Sequence, residues 1–315
     1  MDVTGNVFYF EWEAKLIEWL QTHLGSGLIS VLSYFSILGE ATLIVLILGF
    51  IYWSYNKKLG RTMILTVLSA CTWSAMIKNI ALRRRPYFDN KDIKVLRPVE
   101  PDADLYDIQA QGFSFPSTHS ANAAGLFGSL AYGIRKKWTM ILAILLPLMT
   151  GLSRVVVGVH YPTDVAAGWL LGILAVFLIP YLEKKIENKA LLYGILLVLT
   201  LPGLIYCRSE DYFTSAGLLT GFMAASLFEE QLVNFEDPRS VPEMVLRLVI
   251  GVAIYFVLNT LLKLPFRKEF LEGGSYAALL VRYFRYMVIV FLDFGVYPMS
   301  FRLVNKKSGL RPNIR

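Results

Sequence analysis

Of the chain's 315 residues, 55% are hydrophobic and only 17% charged, and the mean hydropathy is +0.51. So little polar surface cannot cover a soluble globule of this size, which places the chain in the helical membrane class. The formal net charge of +7 sits in short basic clusters between apolar runs, the pattern of cytoplasmic loop anchors, and this argues against a nucleic-acid partner.

The first residues, MDVTGNVFYFEWEAKL, lack a basic region followed by an apolar one and do not read as a cleaved signal, so insertion is expected to rely on the membrane helices. From Glu11 to Leu24 the pattern predicts an interfacial amphipathic helix. Trp12, Leu16, Trp19, Leu20 and Leu24 fall close to one face, with Glu11, Glu13, Lys15 and Glu18 over the other. His23 has no partner motif and reads as structural. The two cysteines, Cys71 and Cys207, lie beside or within apolar segments, which gives neither a disulfide framework nor a metal-type pair.

A first span is predicted from about Glu40 to Tyr55, and a second from about Thr62 to Leu82. The second runs into Lys78-Asn-Ile-Ala-Leu-Arg83-Arg84-Arg85-Pro86. Lys78 and Arg85, seven residues apart, are two helical turns from each other and share a face; Pro86 should end the helix at Arg85. A plain positive anchor accounts for the arginines, but less well for the deeper Lys78. Residues 87–114 are the longest polar stretch and read as an extramembrane loop or lid.

Next comes Phe115-Pro116-Ser117-Thr118-His119-Ser120, which predicts a helix start whose free N–H groups and positive dipole end favour an anion. An ordinary N-cap beside an incidental histidine fits the same residues. The third span continues over Ala121 to Tyr132, and the fourth runs from about Trp138 to Val157. Ser153-Arg-Val-Val-Val-Gly-Val-His160-Tyr-Pro-Thr-Asp164 then places an arginine, a histidine and a carboxylate at the junction with a fifth span, about Thr163 to Leu182. Ionisable groups at a membrane boundary are functional candidates. With Pro162 opening the helix, Asp164 could accept from one ring nitrogen of His160 and leave the other free to attack. Taken alone, the segment is equally compatible with interfacial anchors and a loop histidine.

Four more apolar segments follow, near 190–206, 213–228, 244–264 and 276–297; in the last, Arg282, Arg285 and Asp293 are expected to pair with one another rather than to line a cavity above the site. Basic loops after spans one, three and five, together with Arg302, Lys306, Lys307, Arg311 and Arg315 in the tail, lie in the cytoplasm by the positive-inside rule. That rule puts all three motifs on the opposite face.

Three cations, two helix N-termini, two histidines and a carboxylate on one face form the inventory for metal-free phosphoryl transfer. The cations would repel a divalent ion, so no metal or other cofactor is expected. The chain here resembles the type 2 phosphatidic acid phosphatase superfamily. That family's motifs K-x6-R-P, P-S-G-H and S-R-x5-H-x3-D are matched at Lys78 to Pro86, Pro116 to His119 and Ser153 to Asp164, with Thr118 in place of the glycine, as in the family's sphingosine-phosphate phosphatase branch. The resemblance implies that His160 is the nucleophile, Asp164 its orienting partner and His119 the general acid. Lys78, Arg85, Ser117, Thr118 and Arg154 would hold the phosphate. It also implies an all-α integral membrane fold, with a six-helix phosphatase core over residues 1–188 that includes the amphipathic helix. Residues 189–315 would form an extension of about four membrane segments.

The expected substrate is a lipid phosphate monoester in the bilayer. Undecaprenyl diphosphate and a soluble sugar phosphate of the glucose-6-phosphatase type are the alternatives, and a lipid transporter or scaffold on the same fold is the non-enzyme reading. The absence of an Asn-x-Ser/Thr sequon and of a lumenal retention signal in GLRPNIR favours a bacterial inner membrane over the endoplasmic reticulum, with the site outside the cytoplasm. Oligomeric state is not legible.

Overall fold

The computed structural model describes residues 5–238 and 240–301, so the basic tail from Arg302 to Arg315 lies outside the described residues. Helices follow in the order α1 (Glu11–His23), α2 (Ser26–Tyr34), α3 (Ala41–Phe50), α4 (Lys57–Ala81), α5 (Pro86–Asp89), α6 (Ile108–Gln111), α7 (Thr118–Ile134), α8 (Lys137–Val156) and α9 (Pro162–Lys185). After these come α10 (Lys189–Thr200), α11 (Gly203–Tyr206), α12 (Glu210–Phe228), α13 (Val241–Leu261), α14 (Lys268–Glu272) and α15 (Tyr276–Val290). The β pairing among the described residues is one isolated bridge, Asn6 with Arg83. The chain is an all-α integral membrane protein. Five of its described segments are long and apolar enough to cross a membrane: α4, α8, α9, residues 189–206 and α13.

Helix α7 is short, rich in Ala, Gly and Ser, and buried along most of its length between α4, α8 and α9. Apolar side chains alone do not drive association within lipid, so close backbone approach must supply the packing. Gly168 and Gly172, one turn apart on α9, provide it. A Cβ at Gly168 would lie 2.4 Å from the Ser117 carbonyl oxygen, and one at Gly172 would lie 2.6 Å from that of Ala121. On the outside, Leu170, Ile173 and Phe177 of α9 and Ile141 and Ile144 of α8 are exposed, as a lipid-facing surface requires.

Helix α12 packs between α4 and α15. Aromatic rings of Tyr52, Phe222 and Phe294 meet edge-on or tilted at 5.4–5.6 Å and knit the turn that follows α3, α12 and the turn that follows α15 together. At the basic-loop end, Lys57 Nζ is 2.9 Å from Glu229 Oε1, Arg61 Nε is 3.9 Å from Glu183 Oε1, and Lys189 pairs with Glu230. The three motifs lie at the opposite end of α4, α7, α8 and α9.

Three sequence expectations are corrected, and one stretch with no predicted element proves helical. Helix α4 stops at Ala81, with Leu82 in the left-handed region (φ 50°), so Lys78 and Arg85 are not on one continuous helical face. Residues 26–39, where the sequence pattern predicts no element, form α2 and a 3-10 turn, bent by 118° from α1. Glu13, expected on the polar face of α1, is fully buried, while Trp12 and Trp19 point outward. Arg282, Arg285 and Asp293 do not pair with each other. Arg282 Nη2 reaches Glu210 Oε1 at 2.5 Å, Arg285 Nη2 reaches Asn259 Oδ1 at 3.5 Å, and neither Asp293 oxygen has a partner among the described residues.

Candidate active site

His160 sits in the tight connection between α8 and α9, in which the left-handed Gly158 (φ 80°) turns the chain back. Proline at the first position of α9 supplies a preset φ and needs no N–H partner, so the helix begins immediately after His160 and Tyr161. Asp164 lies in the first turn. Its Oδ2 accepts from the Tyr161 N–H at 2.8 Å and lies 3.4 Å from His160 Nδ1, too poorly aligned for a hydrogen bond. The other ring nitrogen, Nε2, is 3.4 Å from Arg85 Nη1.

Arg85 is the residue before α5, four beyond the end of α4. Its Nε donates to the carbonyls of Gln111 and Gly112 at 2.9 and 3.1 Å, and its Nη1 donates to that of Val159 at 2.9 Å. The polar stretch 87–114 is thereby fastened to the His160 loop. Arg154, in the last turn of α8, donates from Nη1 to Ser36 Oγ at 3.2 Å and leaves Nε without a partner among the described residues. Ser36 belongs to the turn after α2 that the sequence did not reveal. Lys78 Nζ lies 3.4 Å from Oδ2 of Asp211, in the first turn of α12.

At the start of α7, Ser117 Oγ caps the helix by accepting from the Ser120 N–H at 3.4 Å, and its own N–H donates to the Asp164 carbonyl at 2.9 Å. The Thr118 hydroxyl is 3.2 Å from Ser74 Oγ on α4. His119 follows, half-buried, and its backbone presses on Gly39: a Cβ at position 39 would come within 2.7 Å of the His119 Cβ and carbonyl oxygen.

Lys78, Arg85, Arg154 and His160 are each 5% exposed or less. Burial, then the charges of Arg85, Arg154 and Lys78, push the His160 imidazole well below its usual value near 6.5, so the ring is neutral at neutral pH. Among the described residues no three His, Cys, Asp or Glu side chains converge as a metal would require.

Sequence reasoning overlooked Arg83 and Glu13. Arg83 Nη1 bonds Asp164 Oδ1 at 2.6 Å and Thr163 Oγ1 at 2.8 Å, Nη2 bonds Glu13 Oε2 at 2.9 Å, and Nε bonds the Phe8 carbonyl at 2.7 Å. Glu13 Oε1 also accepts from the Thr163 N–H and hydroxyl at 3.0 and 2.6 Å.

Comparison with known proteins agrees with this geometry. The PAP2 superfamily model matches residues 40–187, and a second model, PAP2 superfamily phosphatase, transmembrane extension, matches residues 213–308. An undecaprenyl-diphosphatase of Sulfolobus acidocaldarius is 30% identical over 180 residues, which is 55% of this chain and 81% of that protein. The chain belongs to the PAP2 superfamily. Two further PAP2 relatives are similar over shorter stretches. Phosphatidylglycerophosphatase B of Bacillus subtilis is 38% identical over 110 residues, 31% of this chain and 53% of that protein. Lipid A 4'-phosphatase of Bacteroides thetaiotaomicron is 32% identical over 101 residues, 30% of this chain and 45% of that protein. The chain thus spans about half the length of these last two. No solved structure matches. Glu13 lies outside the stretch that either PAP2 model covers.

Proposed function

We propose that this protein is a membrane phosphatase that hydrolyses a lipid phosphate monoester through a phosphohistidine on His160. One observation carries the reading. Arg85 and Arg154 are each 3% exposed, and neither has a carboxylate within 4 Å among the described residues. Buried cations without counter-charges are costly; an anion beside the free face of His160 relieves that cost.

In the proposed reaction His160 Nε2 attacks phosphorus while the ester P–O bond breaks. Lys78, Arg85 and Arg154, with the N-terminus of α7 at Ser117 and Thr118, stabilise the charge on the phosphoryl oxygens. His119 gives its proton to the departing alkoxide. It then takes a proton from the water that cleaves the P–N bond, releasing inorganic phosphate and restoring neutral His160. Asp164 favours the tautomer with the proton on Nδ1. Residues 1–188 form the phosphatase core in this reading and 189–315 an extension, with the site on the extracytoplasmic face of a bacterial inner membrane, the face opposite the basic loops.

A second reading, hydrolysis of a polyprenyl diphosphate, is favoured by the long alignment to the undecaprenyl-diphosphatase. The test is phosphate release by purified protein from phosphatidate, lysophosphatidate, a sphingoid-base phosphate and undecaprenyl diphosphate, in the presence of EDTA. Release from a monoester, with an acid-labile phosphoryl group trapped on His160, is the expected result. Turnover of the diphosphate alone would select the second reading, and loss in EDTA restored by magnesium would remove the metal-free mechanism.

A further inference from the structure

We propose that Asp211, a residue of the C-terminal extension, sets the charge of the phosphate pocket and makes it selective for phosphomonoesters over diphosphates. The inference rests on the phosphatase reading above. Lys78, Arg85 and Arg154 are the buried cations that the proposed function assigns to phosphate, and among the described residues Asp211 supplies the carboxylate that lies within 4 Å of one of them, Lys78. The pair is lopsided in exposure, the Lys78 side chain being 6% exposed and that of Asp211 60%. Lys78 therefore lies at the bottom and Asp211 at the rim.

The rim position is held in place. Asn79, next to Lys78 on α4, donates from Nδ2 to Ser209 Oγ at 2.7 Å and accepts from the Arg208 N–H at 2.9 Å, which docks the start of α12 onto the end of α4. Glu210 is tied to Arg282 of α15, so the neighbouring acid is engaged elsewhere. The Arg208 guanidinium lies over the Tyr276 ring at 5.0 Å. Asp211 is thus aimed at Lys78 although most of its side chain faces outward.

The consequence is one of charge balance. Asp164 is balanced by Arg83, and Glu13 lies on the other arm of that guanidinium. Lys78, Arg83, Arg85 and Arg154 set against Asp211, Asp164 and Glu13 leave one positive charge, which removal of the Asp211 carboxylate would raise to two. A diphosphate brings a further anionic group past the rim, where the Asp211 carboxylate repels it. A lipid whose phosphate is followed by an uncharged or cationic group meets no such penalty.

The experiment compares kcat/KM for dodecyl phosphate and farnesyl diphosphate at low ionic strength, in wild type, Asp211→Asn and Asp211→Glu. Asp211 is exposed and Asn nearly isosteric, so folding should survive the change. The expected result is that Asn raises the diphosphate-to-monophosphate ratio at least threefold, with Glu staying at the wild-type ratio. The size is that of one part-exposed charge, and the effect should shrink as salt is added. A smaller rise, no change or a shift toward the monophosphate overturns the inference. If the wild type releases phosphate from neither probe, the phosphatase reading itself falls, and this inference with it.

Discussion

Arg83 Nη1 lies 2.6 Å from Asp164 Oδ1, and this guanidinium, not the His160 imidazole at 3.4 Å, is the closest side-chain partner of that carboxylate. Both are almost fully buried. A buried charge that loses its partner is heavily penalised, so Arg83 is the counter-charge that offsets the burial of Asp164 and fixes the position of its carboxylate. Arg83→Met is expected to lower kcat by about ten- to a hundredfold, as loss of a residue that holds a ligating side chain does, with vanadate affinity nearly intact because Lys78, Arg85 and Arg154, the cations proposed to bind phosphate, remain. The decisive measurement is a double-mutant cycle: in an Asp164→Asn background the same change should cost little more. Additive losses would mean that Arg83 only supports the fold.

His160→Ala should abolish phosphate release while the protein still purifies as a folded species, since the residue lies in a connection. A pH test needs no substrate. The His160 value in the folded protein lies below the unfolded one near 6.5. As pH falls, the unfolded chain therefore takes up the proton first. The stability from keeping this ring neutral is whole above about pH 6.5 and is lost as pH drops through that value. Between about pH 7.5 and 5.5 the Tm of wild type should fall further than that of His160→Gln. Equal falls would show that His160 is not held neutral.

Lys78→Ala and Arg85→Ala are each expected to cost about 2.7 to 4 kcal/mol of transition-state stabilisation, by analogy with a lost oxyanion donor. The readout is kcat/KM on a lipid phosphate. Arg85 also fastens residues 111–112 and Val159, so its loss should additionally make the 87–114 stretch more susceptible to proteolysis, which Lys78→Ala should not do. A loss below about threefold at either position would leave that residue as an interfacial anchor.

His119 is tested through the leaving group. An aryl phosphate departs without a proton, whereas an alkyl lipid phosphate needs one. His119→Asn should therefore damage p-nitrophenyl phosphate turnover much less than that of lysophosphatidate. Equal losses on the two substrates would restrict His119 to positioning phosphate.

The sequence made the long apolar helices and the motif spacings legible because both are local. Pro162 announced α9, and Ser117 announced α7. The end of α4 is not legible because nothing in Ala81-Leu82-Arg83 advertises a left-handed Leu82, a conformation held by the tertiary bridge between Asn6 and Arg83. Glu13 was assigned to the polar face because helical periodicity cannot anticipate a buried arginine arriving from 70 residues away. Ser36 was missed for the reverse reason: residues 26–39 are too short and too mixed to register as a span, yet their turn brings a hydroxyl to Arg154. Arg83 itself was hidden among three consecutive arginines that positive-inside anchoring already explained.

The contact between Gly39 and His119 has a genetic corollary. Every single-base missense change of a glycine codon introduces at least a β-carbon, and at position 39 that atom would fall 2.7–2.8 Å from the Cβ, Cα and carbonyl oxygen of His119. These are backbone-level neighbours that cannot swing aside as a long side chain would. Codon 39 is therefore closed to mutational drift even though glycine takes no part in any bond-making step. In a saturation-mutagenesis screen for phosphate release it should score with the histidines, well apart from the exposed Gly25 and Gly27 of the same segment, where an added carbon meets nothing within 4 Å.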